Sequence, residues 1–400
     1  MVYFSKNIIA YLIVLGCVAF MGLLQSCKEE GNDEPTLGIA QQTVFMYLPW
    51  SDNLHDALEA GEKNFESSIV KNRGLDGRRF IVFLSRDAAT SFLINVTYKN
   101  GKCVKDTVKR YSFTQTNYTT EEGLSTILTD MKKAAPAQDY AMIIGCHGTG
   151  WLPKGVNPLS AEFTTNATGY SNCKKSFGHE SKTSYMTDIS TLVAALKAAS
   201  IKMKYILFDD CYMSNIEVAY DLRDVTQYYI ATCTEMQEEG LPYQEVGYYL
   251  LHNDFEKLCN WFYAYYNNSS LPYCNIAVTD CSQLETMAAI VRQINMSYPN
   301  EIERLGTLQK LDGYYPTVFY DFGDYINKIC SNNQLKENFN SQLEKLVVYK
   351  KYTSQFYSVL YNEFTAYDIS AYSGLTTSEP TVNSVVKPYV STTNWYKATH

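Results

Sequence analysis

The sequence predicts an α/β protein, a mostly parallel sheet with helices on both faces, followed by a smaller and mainly helical C-terminal portion. Three observations predict it. Short apolar runs of strand length alternate with stretches whose apolar residues recur at helical spacing, which is the pattern of βαβ units. Those strand runs are nearly continuous in apolar residues, as expected of parallel strands covered on both sides. Two of them, in Ala141 to Trp151 (AMIIGCHGTGW) and Tyr205 to Asn215 (YILFDDCYMSN), end in a reactive side chain beside turn residues. Open α/β sheets place their chemistry at the carboxyl ends of strands.

Taken in order, Thr43 to Leu48 is a strand that stops at Pro49. Leu54 to Val70 carries apolar residues at helical spacing, with Asp52 or Asn53 available as N-cap. Arg79 to Leu84 is a second buried strand. Phe92 to Tyr98 and Val104 to Tyr111 flank Asn100-Gly101, a strong two-residue hairpin signal. A helix over Thr120 to Ala134, capped at Thr119 or Thr120, leads to the strand Tyr140 to Gly145. A polar loop spans about Leu152 to Thr183. Then follow the helix Asp188 to Ala199, the strand Lys204 to Phe208, the helix Ile216 to Leu222 and the strand Tyr228 to Ala231. Beyond Gly240, Gln244 to Leu251, Phe255 to Tyr266, Ser282 to Ile294, Tyr314 to Ile326 and Leu335 to Lys350 read as helical, Asn275 to Val278 as a strand, and Thr376 to Lys387 as loop.

Residues 1–27 stand outside this pattern. Lys6 is followed by the apolar run Ile8 to Leu24 and then by Leu24-Gln25-Ser26-Cys27, which resembles a bacterial lipobox. The resemblance implies cleavage before Cys27 and lipid on that residue; an uncleaved N-terminal anchor is the alternative, and either places the remainder outside the cytoplasm. Residues 28–40 open with the acidic, polar stretch KEEGNDEPT, a flexible tether. By resemblance to other bacterial lipoproteins, Lys28 favours the outer membrane and the acidic run favours surface exposure.

A formal net charge of −8 without a basic block argues against nucleic acid as a partner. Of the 11 cysteines, Cys17 leaves with the signal and Cys27 takes lipid, which leaves an odd number and at least one free thiol. Cys211 is the candidate. No CxxC pair or His-rich cluster suggests zinc, and no EF-hand-type loop suggests calcium.

A thiol and an imidazole reaching one sheet edge from separate strands read as a nucleophile and its proton-transfer partner. His147 is bracketed by Gly148 and Gly150, which let a substrate approach the backbone. His55, His179, His252 and His400 lack such a setting and read as incidental. Strand alternation turns Asp209 and Cys211 to one side and Asp210 to the other. A carboxylate beside the nucleophile opposes thiolate formation, so Asp209 makes more sense as a substrate-binding charge for an arginine or lysine side chain. Asp210 reads as a cap on the helix that starts near Ser214.

The blocks HGTGW, FDDCYMSNIEVAYDL and ATCTEMQEEGLPY resemble the clostripain family of cysteine peptidases, of the caspase-like clan that includes gingipains and legumain. YLPWSDNL, EEGLSTILTDM, YDFGDYI, AYSGL and NWY extend the likeness over nearly everything after the tether. The resemblance implies Cys211 as nucleophile, His147 as donor to the leaving amine, the N–H groups of Gly148 and Cys211 as oxyanion hole, and Asp209 as receptor of a basic residue before the scissile bond. It implies a caspase-like peptidase domain over 41–285 and a C-terminal accessory region over 286–400. Two positions depart from the family's pattern: Asp210 stands where relatives more often have alanine, and Cys146 where they often have an acidic or small polar residue. Activation by cleavage after Lys154, Lys174, Lys175 or Lys182 would also fit the family, some of whose members depend on calcium. The expectation is a lipid-anchored endopeptidase acting on peptides and proteins with Arg or Lys before the cut, without a cofactor. Its rival is a non-catalytic surface lipoprotein that binds peptide or glycan, which a disulfide between Cys211 and Cys233 would favour.

Overall fold

A computed structural model describes residues 38–159, 177–179, 182–299 and 307–400, so the leader, Cys27, Lys174 and Lys175 lie outside the described residues. In chain order the strands are β1 (Ala40–Leu48), β2 (Arg79–Ser85), β3 (Thr90–Lys99), β4 (Lys102–Ser112), β5 (Ala137–Gly145) and the two-residue β6 (His147–Gly148), β7 (Phe177–Gly178) and β8 (Met186–Thr187). They continue with β9 (Met203–Asp209), β10 (Thr226–Ala231), β11 (Asn275–Asp280), the short β12 (Tyr320–Asp321) and β13 (Val347–Tyr352). The main sheet has nine strands in the order β13-β11-β10-β9-β5-β1-β2-β3-β4. Its five central strands, from β10 to β2, are mutually parallel, and both flanks are antiparallel.

Burial on both faces explains the unbroken apolar strands. In β1, Phe45 and Tyr47 join the core under the helices Glu121–Ala134, Ile189–Ala198 and Ile216–Leu222, whereas Val44, Met46 and Leu48 join the core under His55–Lys71 and Tyr243–His252. The period of two assigns each residue to its layer. Each such large side chain, fully buried, contributes roughly 1.5–3 kcal/mol. The predicted hairpin forms as expected: Asn100 and Gly101 both take positive φ, 51° and 78°, the left-handed pair a type I′ turn requires. Thr120 caps its helix by accepting the Gly123 N–H.

Three elements differ from the sequence-based expectation. Neither Asp52 nor Asn53 caps the helix His55–Lys71, which is entered through a short 3-10 turn without a side-chain cap. The stretch expected to be helical from Tyr314 begins its helix at Phe322, because Asp312 takes the N–H groups of Tyr314, Val318 and Phe319 and holds the preceding segment as a loop. The last expected helix ends at Leu346, and Val347–Tyr352 instead pairs antiparallel with β11. The segment after residue 285 thus supplies a strand to the main sheet. It also shares a core with the rest: Trp395 is fully buried, packs edge-on against Tyr220 and Phe322, and donates from Nε1 to Glu379.

Candidate active site

Parallel pairing sets the site. β5 and β9 are neighbours, with Gly145 opposite Asp209, so the segments that follow them leave the same edge of the sheet. A Cβ on Gly148 would lie 2.7 Å from the Cys211 carbonyl oxygen and 2.6 Å from Asp210 Cβ. The backbone next to His147 is therefore laid directly against the cysteine segment, and only glycine permits the approach. Asn215 staples the two segments together. Its Oδ1 accepts the Trp151 N–H at 3.1 Å, and its Nδ2 donates to the Tyr212 carbonyl at 3.0 Å and to Thr376 Oγ1 at 2.7 Å. Residues 374–376 close over the cysteine turn through Ser214 Oγ to the Gly374 carbonyl and Thr376 N–H to the Ser214 carbonyl.

Cys211 is a free, partly buried thiol whose Sγ accepts the Met236 N–H at 3.3 Å. Tyr212, immediately after it, has φ of 59°, a left-handed conformation that turns the chain sharply off the strand. All eight cysteines among the described residues are free; Cys233 is buried and donates to the Ser214 carbonyl rather than bridging Cys211.

His147 lies on β6, paired with Gly178 on β7. Its Nε2 is 2.9 Å from Asn53 Oδ1. An amide oxygen only accepts, so Nε2 carries the hydrogen in this contact. Burial, with a smaller push from His179, lowers the His147 pKa to about 4, which keeps the ring neutral near pH 7. The turn that presents Asn53 is itself docked on β7, Ser51 Oγ donating to the Gly178 carbonyl at 3.0 Å. Asn53 is a site residue that sequence reasoning treated as a helix cap. A signal existed: it follows the end of β1, the parallel neighbour of β5, and so shares its edge. His179, read as incidental, is one residue beyond the Gly178 partner of His147 and close enough to influence its charge.

Asp209 and Asp210 diverge as alternation requires, but neither caps the helix after Ser214. Asp209, partly buried, accepts Leu241 N–H at 3.0 Å and the Tyr243 hydroxyl at 2.6 Å. Burial outweighs these bonds and raises its pKa from 3.8 to about 6. Gly240 leaves no room for a side chain at its flank, a Cβ there falling 2.5 Å from Asp209 Oδ2. Asp210 is buried on the other side, where Oδ1 accepts the Cys146 N–H at 2.7 Å and Oδ2 the Cys146 thiol at 3.5 Å. The two departures from the family pattern are thus partners of each other. Among the described residues no group of three or more His, Cys, Asp or Glu side chains is placed to hold a metal ion.

A mixed sheet covered by helices on both faces, parallel at its centre, thus brings a thiol and an imidazole to one edge, an arrangement open to thiol chemistry. A model of the clostripain family matches residues 75–400, and the chain belongs to that family. A secreted cysteine protease from Bacteroides thetaiotaomicron, "iotapain", is 40% identical, with a TM-score of 0.80 over 91% of this chain and all of its own. An inactive zymogen protease from Parabacteroides distasonis shares the fold at 22% identity, with a TM-score of 0.77 and the same coverage. A clostripain from Bacteroides thetaiotaomicron, solved with the peptide inhibitor BTN-VLTK-AOMK, is 44% identical over 54% of this chain and 96% of its own, with a TM-score of 0.50. No curated protein matches the chain. The protein is a clostripain-like cysteine peptidase, a hydrolase acting on peptide bonds.

Proposed function

We propose that this peptidase is an endopeptidase that cuts after Arg or Lys with a Cys211–His147 dyad and is held outside the cytoplasm by lipid on Cys27. The observation that carries the reading is the close backbone approach of Gly148 to Cys211, with Asp209 one strand period before the thiol. Neutral His147 takes the thiol proton as Cys211 Sγ attacks the peptide carbonyl. The developing oxyanion accepts from the N–H groups of Gly148 and Cys211, a contribution of about 3 kcal/mol to the transition state. The imidazolium, oriented by Asn53, then gives its proton to the leaving amine, and water hydrolyses the acyl-enzyme by the same relay in reverse.

Asp209 receives the basic side chain. A carboxylate prearranged by two donors and short of water binds a guanidinium or ammonium strongly. Asp210 faces Cys146 and leaves the preference for Arg or Lys to Asp209. The lysine that ends the inhibitor's VLTK peptide in the 44% identical relative supports this preference. The description of iotapain as secreted supports placement outside the cytoplasm. Among the described residues no helix is long and apolar enough to cross a membrane.

The test uses the soluble chain from about Gly38 onward with fluorogenic peptides ending in Arg, Lys, Asp or Asn, before and after trypsin treatment. Cleavage after Arg or Lys, abolished in Cys211→Ala, is the expected result. No cleavage, with Cys211 inert to an alkylating probe, leaves a peptide-binding or glycan-binding lipoprotein instead. Metabolic labelling with a fatty-acid probe is expected to mark the wild-type full chain and not Cys27→Ala, and an unlabelled wild type would overturn the lipid anchor.

A further inference from the structure

Three exposed apolar residues, Leu271, Val359 and Phe364, lie on segments joined to the loop that contacts Cys211. Met236 donates to Cys211 Sγ, and its neighbour Glu235 accepts from Ser358 Oγ and, at 3.0 Å, from the Val359 N–H. This ties the hairpin of Gln355–Ser358 and Thr365–Asp368 to within one residue of the group that contacts the thiol. From the same loop Gln237 Nε2 donates to the carbonyls of Leu271 and Tyr273, at 2.9 and 3.4 Å.

Three rings meet there. Tyr357 and Phe364 stack at 5.5 Å with planes 10° apart, and Tyr273 lies 5.8 Å from each. Tyr357 forms the buried floor; burial raises its pKa, and the nearby charges of Cys211, Glu235, Glu239 and Glu238 add to it. Phe364 is 53% exposed, Val359 46% and Leu271 43%. Scattered surface hydrophobics are ordinary, but a group fixed around one loop at the rim of a nucleophile is the makeup of a ligand subsite.

We propose that Phe364, Val359 and Leu271, over the Tyr357–Tyr273 floor, form a substrate subsite for an apolar side chain, aromatic or branched aliphatic, within three residues of the scissile bond. It rests on the peptidase reading and concerns the same site. The exposed Glu238 and Glu239 beside it disfavour acidic substrate residues at that position.

The test measures kcat/KM for peptides with Lys before the cut and Gly elsewhere, against versions carrying one Phe, Leu or Glu at each of the three positions on either side. One position is expected to gain about tenfold from Phe or Leu over Gly. Phe364→Ser and Val359→Ser are expected to bring that ratio, taken within each variant, close to one. Equal rates for Gly and apolar residues in wild type, or a preference kept by both variants, overturns the subsite. If wild type leaves the all-Gly peptide and all others uncut, the peptidase reading itself fails, and the subsite with it.

Discussion

Asp209 and Asp210 sit side by side at the end of β9 and are drawn into two different environments. Asp209 faces the Gly240–Tyr243 turn and keeps a path to solvent, so its charge is arranged yet available. Asp210 is 2% exposed and spends its carboxyl on Cys146, one residue before His147. One carboxylate is held by the Leu241 N–H and the Tyr243 hydroxyl, and in the proposed reading receives the substrate; the other pins the strand ends. The pleat of a strand suffices to separate the two jobs, and residue type alone does not predict them.

Substitutions at the pair give the largest effects. Asp209→Ala is expected to lower kcat/KM for Arg or Lys peptides about a thousandfold, as loss of one member of a desolvated charge pair does, while alkylation of Cys211 is not slowed. A parallel loss of alkylation would show that Asp209 holds the thiol rather than the substrate. Asp210→Ala leaves the buried Cys146 N–H without its acceptor, and should cost about 2 kcal/mol in urea unfolding and more kcat than KM. Asp210→Asn keeps an oxygen at Oδ1 and should recover most of both. Equal losses in the two variants would mean that charge matters there, and the contrast with Asp209 would collapse.

A titration sharpens the same contrast. If Asp209 binds the basic side chain as proposed, it must be ionised, and with its pKa at about 6 kcat/KM for Arg or Lys peptides should rise with pH through that value. His147, neutral above about 4, supplies no limb there. For folding the sign is opposite. Between 3.8 and about 6 the folded state holds the Asp209 proton and the unfolded state has lost it, so this group's contribution to stability falls as pH rises through that window. Asp209→Asn should remove both trends, and an unchanged activity limb in that variant would assign the titration elsewhere. The smallest effect is expected at Asn53. Asn53→Ala removes one hydrogen bond from a ring whose strand is independently paired, so kcat should fall about tenfold, with KM and the melting temperature little changed.

The parallel centre of the sheet, the Asn100-Gly101 hairpin, the family, and the arrival of His147 and Cys211 at strand ends are legible in the residues alone, because these depend on local periodicity, turn chemistry and short motifs. The opposite facing of Asp209 and Asp210 was legible for the same reason. Only the tertiary structure decided their partners. Cys146 reaches Asp210 across 64 residues, Asn53 reaches His147 across 94, and Thr376 reaches Asn215 across 161. Strand order is what brings such positions together, and no local pattern encodes it. Val347–Tyr352 makes the point in the other direction. It continues a helical pattern, yet pairing with β11 covers a sheet edge and satisfies a row of backbone groups, a gain that helix propensity over so few residues does not match.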